Sequence, residues 1–249
     1  MLKVAWLVRL SHEHGTCRDE RWDRYAPAHA RLLAAVPGLE RATENRTLAI
    51  AEGPQAGIGE PTIDSIVCTW WADRAALERA LAAPQWQALS AHARACSGGD
   101  WPHGGAAMEV EERTMRLGAG TPWRGAAVPA GMCKHVGVLH YRPDMAREDA
   151  SAYWTREHGR IALEIPEILY YVQDHARRAL SFDGAPLDGR VPFDGFSEAW
   201  FSDRETFERS HASPAWLRLQ ADSPNLFDVE AIESGVNCVV AERVLSEPA

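Results

Sequence analysis

At 249 residues, 46% hydrophobic and 24% charged, the chain has the length and composition of a globular protein with a sizeable core, which argues against disorder. A net charge of -9 argues against nucleic acid as a partner, because a phosphate backbone needs concentrated Lys and Arg. The five cysteines are odd in number, scattered and free of any CxxC pair, so no disulfide framework or zinc ribbon is expected, and the reading is a reducing cytoplasm.

Residues 2–10, LKVAWLVRL, read as a buried first strand. Charges and histidines follow without a small-residue cleavage site, so this is not a signal peptide. The next stretch, SHEHGTC, offers His12, His14 and Cys17. A lone HxH with one cysteine falls short of the three or four converging ligands that zinc or iron needs, and a solvated loop without a metal is expected. Residues 17–35 place apolar side chains at helical spacing. The turn-rich EGPQAGIGEP, 52–61, leads to a strand-like IVCTWW, after which Asp73 stands where a helix N-cap is wanted. The alternating MEVEERTM, 108–115, closes the first series as a strand.

Residues 117–131, LGAGTPWRGAAVPAG, read as a linker, after which the series starts again. CKHVGVLHY, 133–141, is a strand, 146–163 a helix, FSEAWF a strand, Asp203 a second N-cap and NCVVAERV a closing strand. The turn-rich DGAPLDGRVP, 183–192, falls where 52–61 fell. The match is residue by residue: His29 and Pro37 are spaced as His158 and Pro166, Trp70 answers Trp200, Asp73 answers Asp203, and Trp86 answers Trp216. Each half therefore runs β-α-β-β-α-β, the ferredoxin-like unit with both helices on one sheet face. The expected fold is α+β, with repeats at 1–116 and 132–249 joined by 117–131. Packed sheet to sheet, they reproduce within one chain what a single-unit protein achieves by dimerising. No apolar run approaches the roughly 20 residues of a membrane helix.

The second half resembles the EthD family of the dimeric α+β barrel superfamily. The residues that carry the resemblance are Tyr153-Trp154 followed by His158 and Pro166, the strand Tyr171-Val172-Gln173-Asp174-His175, and Asp222. The first half resembles it more weakly, with Arg24-Tyr25, Glu44, Arg46 and His92 at the corresponding places. The resemblance implies an intramolecular dimeric α+β barrel. It also implies a pocket between helices and sheet, in a superfamily that includes cofactor-free monooxygenases, lactone isomerases, polyketide cyclases and haem enzymes. Fold does not choose among those chemistries.

His158 is the candidate general base, beside Tyr153 as phenol donor, Asp222 as the carboxylate that orients an imidazole, and His140 and His175 as further titratable groups. The competing reading of His158 and His29 is a hydrogen-bonded core residue at a helix end. His29, with Tyr25, Glu44 and His92, is expected to mark a degenerate counterpart. In an α-helix Trp154 and His158 share a face, whereas Tyr153 lies about 140° away. Alternation on residues 133–141 sends His135 and His140 to opposite sides, and His140 is favoured because it ends the strand near the loops. Trp154, Trp200, Tyr171 and Gln173 are the candidate substrate-binding residues. Walker, GxGxxG, GxSxG and HExxH motifs are missing from the sequence. The expectation is a cofactor-independent lyase, dehydratase, isomerase or decarboxylase acting on a small hydrophobic aromatic or cyclic carbonyl compound. No metal, nucleic acid or membrane partner is expected, and a homodimer of the two-repeat chain is allowed. The alternatives are a non-catalytic small-molecule carrier, a cofactor-free monooxygenase and, without a signature of its own, a haem protein.

Overall fold

The computed structural model describes residues 1–11, 17–48, 63–97, 105–116, 131–187, 193–228 and 237–246. His12, His14, the turn-rich 52–61 and the inter-repeat stretch 117–130 lie outside them. In the first repeat β1 (Leu2–Val8), α1 (Arg18–Ala34), β2 (Leu39–Leu48), β3 (Ser65–Trp71), α2 (Arg74–Leu81), α3 (Pro84–Ser97) and β4 (Ala106–Arg116) follow one another. The second has β5 (Cys133–Leu139), α4 (Arg147–Tyr153), a π-helical turn (Trp154–His158), α5 (Gly159–Ala162), β6 (Tyr170–Leu180), β7 (Gly195–Phe201), α6 (Arg204–Ser210), α7 (Pro214–Leu226) and β8 (Asn237–Ser246).

Both predicted caps form. Asp73 Oδ1 accepts from the Ala76 amide at 2.8 Å, and Asp203 Oδ1 from the Thr206 amide at 2.7 Å. The helix that each cap opens is broken in two, because Pro84 and Pro214 lack an amide proton and instead occupy the first position of a new helix.

The strands close into one antiparallel barrel in the order β1-β3-β2-β8-β5-β7-β6-β4. The closure adds something to packing sheet on sheet. β2 pairs with β8 and β4 with β6, so each repeat consumes the edges of the other and the described strands leave no open edge at these seams. Alternation then sorts side chains between the barrel interior and the outer face under the helices. Ile66, Cys68, Trp70, Val136, Ala176 and Phe196 pack inside, whereas Trp6, Trp71 and Trp86 in one repeat and Phe201, Phe207 and Trp216 in the other lie under the helices.

The interior also holds ions. Lys3 Nζ, fully buried, bonds Asp174 Oδ2 at 2.9 Å and Glu198 Oε1 at 2.8 Å and pairs with Glu112 at 3.1 Å. Lys134, the counterpart of Lys3, bonds Asn45 Oδ1 at 2.7 Å and pairs with Glu198 and Glu242. Burial alone would push both lysines down, but the facing carboxylates outweigh it and hold them above their ordinary value. Trp70 and Trp200 lie under these cations, with Nζ 5.1 Å and 4.5 Å from the ring centroids.

Candidate active site

The helix that carries His158 is not uniform. Between α4 and α5 it passes through a π-turn, closed by the Gly159 amide donating to the carbonyl of Trp154 five residues earlier. A turn of that kind stacks residues five apart, so Tyr153 and His158, on different faces of an α-helix, are brought to one partner. Tyr153 Oη donates to Asp222 Oδ1 at 2.7 Å, and His158 Nδ1 lies 2.9 Å from Asp222 Oδ2. Asn225 Nδ2 adds a third bond, to Oδ1, at 3.0 Å.

Strand β6 supports the turn. The Trp154 carbonyl accepts a second hydrogen bond from Gln173 Nε2 at 3.0 Å. Gly159 leaves room for it, since a Cβ there would stand 2.6 Å from Gln173 Nε2 and 2.8 Å from the Trp154 oxygen. Gly195 does the same for the indole of Trp154, which a Cβ would meet at 2.7 Å.

A carbonyl can only accept, so Gln173 presents its Oε1 to His175 Nε2, 3.2 Å away, which must therefore carry the proton. His175 Nδ1 then accepts from Ser151 Oγ at 2.9 Å and Tyr141 Oη at 3.1 Å. Burial, reinforced by nearby Arg113, pushes His175 down to about 3, and it stays neutral.

His158 borders a cavity of about 270 Å³ between the helices and the outer face of β5 and β7. Trp154, Tyr171, His135, Gly137, Trp216 and Phe227 are among its walls. The Phe227 ring stands edge-on to His158, 5.0 Å between centroids. Burial lowers His158 below its ordinary value, and the Asp222 carboxylate opposes the shift. The ring is thus neutral at pH 7 with its Nδ1 proton held by Asp222, which leaves Nε2 as the basic nitrogen. Burial would raise Asp222, but the bonds from Asn225, Tyr153 and His158 hold it below the usual carboxylate range, so it remains an anion. Tyr171 Oη accepts from Gln173 Nε2 at 3.2 Å, and burial pushes the phenol above its ordinary value. Its own proton is available to an acceptor in the cavity.

The first repeat has the same histidine in other company. His29 is buried in α1 with neither ring nitrogen hydrogen-bonded, stacked on Tyr25 at 4.7 Å. His92 stands where Asp222 stands, its ring 6.4 Å from His29, so no carboxylate orients the imidazole. Burial first, then the charges of His92 and Arg243, push His29 down to about 3. Glu44, in the place of Gln173, has no N–H to give to a helix carbonyl, and α1 runs through this region without a π-turn.

The structure thus gathers His158, Trp154 and Tyr171 at the cavity, with Asp222, Tyr153, Gln173 and His175 behind them. Tyr153 is committed to Asp222 and is not a wall of the cavity, so it does not serve as a donor to a ligand. The preference for His140 over His135 is reversed by the register of β5. His135 faces the helices, 5.1 Å from Phe207, whereas His140 packs beside Phe193 away from the cavity. Trp200 points into the barrel and is likewise no part of the cavity wall. Cys17 of the SHEHGTC stretch is exposed. Trp216, matched to Trp86 in the sequence, is one of the repeated aromatics that does wall the cavity, whereas nothing in the sequence marks Phe227; Gly137 and Trp6 hold corresponding places in β5 and β1 and differ more in size than most matched pairs.

This architecture is a dimeric α+β barrel fold, with both sets of strands supplied by one chain. The whole chain superposes on an anthrone oxidase-like protein at a TM-score of 0.61 and 13% identity, covering 100% of this chain and 94% of that one. A monooxygenase-like protein of Fusobacterium nucleatum matches at 0.54 and 7%, with 98% and 92% covered. Another, from Lactobacillus acidophilus NCFM, matches at 0.50 and 8%, with 100% and 97% covered. At such identities the likeness is one of fold. Within that fold, residues 142–230 of the second repeat match the family model of the EthD domain. No curated protein matches the chain. Among the described residues no helix is long and apolar enough to cross a membrane.

Proposed function

We propose that the second repeat is a cofactor-independent enzyme site that removes a proton from carbon next to the carbonyl group of a small aromatic or cyclic compound. The observation that carries this reading is the pairing of His158 Nδ1 with Asp222 at the wall of a cavity that is otherwise mostly apolar. His158 Nε2 takes the proton, and the electron pair of the C–H bond moves onto the carbonyl oxygen. Tyr171 donates to the enolate oxygen so formed, in a site where burial strengthens that bond. Returning the proton to another atom gives isomerisation, and expelling a leaving group from the adjacent carbon gives elimination; in a decarboxylation the C–CO2 bond breaks in place of the C–H bond, its electron pair forms the same enolate, and that enolate then takes a proton from water. An apolar cavity of about 150 Å³ takes one benzene ring, so this one suits a compound of about two rings.

A second reading takes the same enolate onward to dioxygen, as in a cofactor-free monooxygenase. It is favoured by the description of whole-chain structural neighbours as anthrone oxidase-like and monooxygenase-like. Exchange of the α-protons of 2-tetralone in D2O, followed by proton NMR with an oxygen electrode alongside, tests both. Catalysed exchange that falls by roughly 10²–10⁴-fold in H158A supports the base, and oxygen uptake dependent on His158 selects the second outcome. Saturable binding of 2-tetralone without exchange would leave a carrier protein instead.

A further inference from the structure

The two repeats build the same pocket from matched positions, yet one is open at about 270 Å³ and the other is reduced to about 20 Å³. Strand register fixes the correspondence. Lys3 pairs with Trp70 and Trp6 with Val67 on β1 and β3, while Lys134 pairs with Trp200 and Gly137 with Ser197 on β5 and β7. Three wall positions carry more bulk in the first repeat: Trp6 for Gly137, Leu33 for Ala162 and Val67 for Ser197. The Trp6 indole is buried at the wall of that pocket, 4.7 Å from the Trp86 ring, and donates to Thr69 Oγ1 at 2.9 Å. Phe182, from the turn that follows β6, supplies a further part of the wall.

We propose that Gly137 is the specificity-determining position of the protein. The flat part of the ligand lies against the bare backbone of β5 at Gly137, in the space that the Trp6 indole occupies in the first repeat, beside Trp216. The side chain that plugs one repeat is thereby a template for what the other accepts: a planar two-ring aromatic, inserted edge-first between helices and sheet. The carbonyl or enol group of such a ligand points toward His158 and Tyr171, because these polar groups lie on the π-turn and on β6, which β7 separates from Gly137 on β5. The first repeat is a closed copy of the same site, held shut by its own tryptophan.

This inference rests on the reading of the second-repeat cavity as a ligand site, and 2-naphthol, a planar enol analogue with its own fluorescence, separates the two. Calorimetric titration of the wild-type chain is expected to show one equivalent bound. G137L is expected to weaken binding at least tenfold, with G137A between the two. W6G, which removes the plug, is expected to raise the stoichiometry to two. If the wild-type chain binds no 2-naphthol, both the ligand-site reading and this inference are overturned. If it binds one equivalent and G137L binds as tightly, only the inference fails. Near-ultraviolet circular dichroism checks that G137L is folded. Should it not be, W6G decides alone: a second equivalent supports the proposal, and a stoichiometry still at one overturns it.

Discussion

Replacing His29 with leucine should make the protein less sensitive to acid. Both ring nitrogens of His29 are buried without a hydrogen-bond partner, and its pKa is pushed down to about 3 from an ordinary 6.5, first by burial and then by the charges of His92 and Arg243. The unfolded chain therefore binds a proton at this residue from about pH 6.5 downward, while the folded chain refuses it until about pH 3. Stability from this group is fully present above pH 6.5 and is lost as pH falls toward 3, at about 1.4 kcal/mol per pH unit. Between pH 7 and pH 5 the loss sums to about 2 kcal/mol. H29L carries no such group, so urea unfolding of both proteins at the two pH values should show the variant losing about 2 kcal/mol less. At pH 7 it should be at least as stable as the wild type, since leucine leaves no buried polar atom unpaired. Some acid sensitivity will remain in H29L, because His175, pushed down to about 3 as well, has the same sign. Equal losses in the two proteins, or a His29 imidazole that titrates near 6.5 by NMR, would refute the reasoning.

Three further outcomes follow from the same geometry. In D222N the carboxylate that opposes the burial shift of His158 is gone, so the His158 titration midpoint, read from its Hε1 resonance, should move further down; an upward move would contradict the assigned pairing. G159A places a methyl group against Gln173 Nε2 and the Trp154 oxygen, and should cost about 1–3 kcal/mol by thermal melting. A change below about 0.5 kcal/mol would mean that the π-turn does not depend on that contact. K3M removes the cation from Asp174 and Glu198 and should cost about 3–5 kcal/mol in urea unfolding, whereas a neutral result would show the carboxylates satisfied without it.

How much of this was legible in the sequence depends on whether the information lay in order and spacing or in a local departure from regular geometry. The duplication was legible because side-chain identities recur in register, and with it came the strand and helix order, the caps at Asp73 and Asp203 and the grouping of His158 with Asp222. The π-turn was not. Residues 151–166 match 22–37 without a gap, so nothing in the spacing says that one helix bulges and the other does not. What distinguishes the two is Gln173 on β6, whose N–H group bonds a carbonyl of the π-turn, a contact for which Glu44 in the other repeat has no hydrogen. From that bulge followed the convergence of Tyr153 and His158 on Asp222, which α-helical angles had set apart. The side on which His135 falls was half legible: alternation opposed it to His140, but only the pairing of β5 with β7 and β8 decided which of the two meets the helices.

The two repeats also depend on one another in a way that explains why a closed site and an open one share a chain. Strand β6 offers Tyr171, Gln173 and His175 to the outer face, where the site is, and Asp174 to the interior, where Lys3 of the first repeat bonds it. Glu198 on β7 is held by Lys3 and by Lys134 together, and β6 is further fixed along its length by β4 of the first repeat. The strands under the cavity are thus clamped on their inner face and at one edge by the repeat whose own matched pocket is reduced to about 20 Å³. The proposed site, whose histidine is paired with a single carboxylate on a helix that contains a bulge, needs a rigid floor. The first repeat supplies it, and filling its own pocket with Trp6 and Leu33 keeps that half packed as a core. Under the proposed function the filled pocket of one copy and the open pocket of the other are parts of one arrangement: with His29 of α1 packed in the core, the first repeat holds the strands beneath His158 of the π-turn in place.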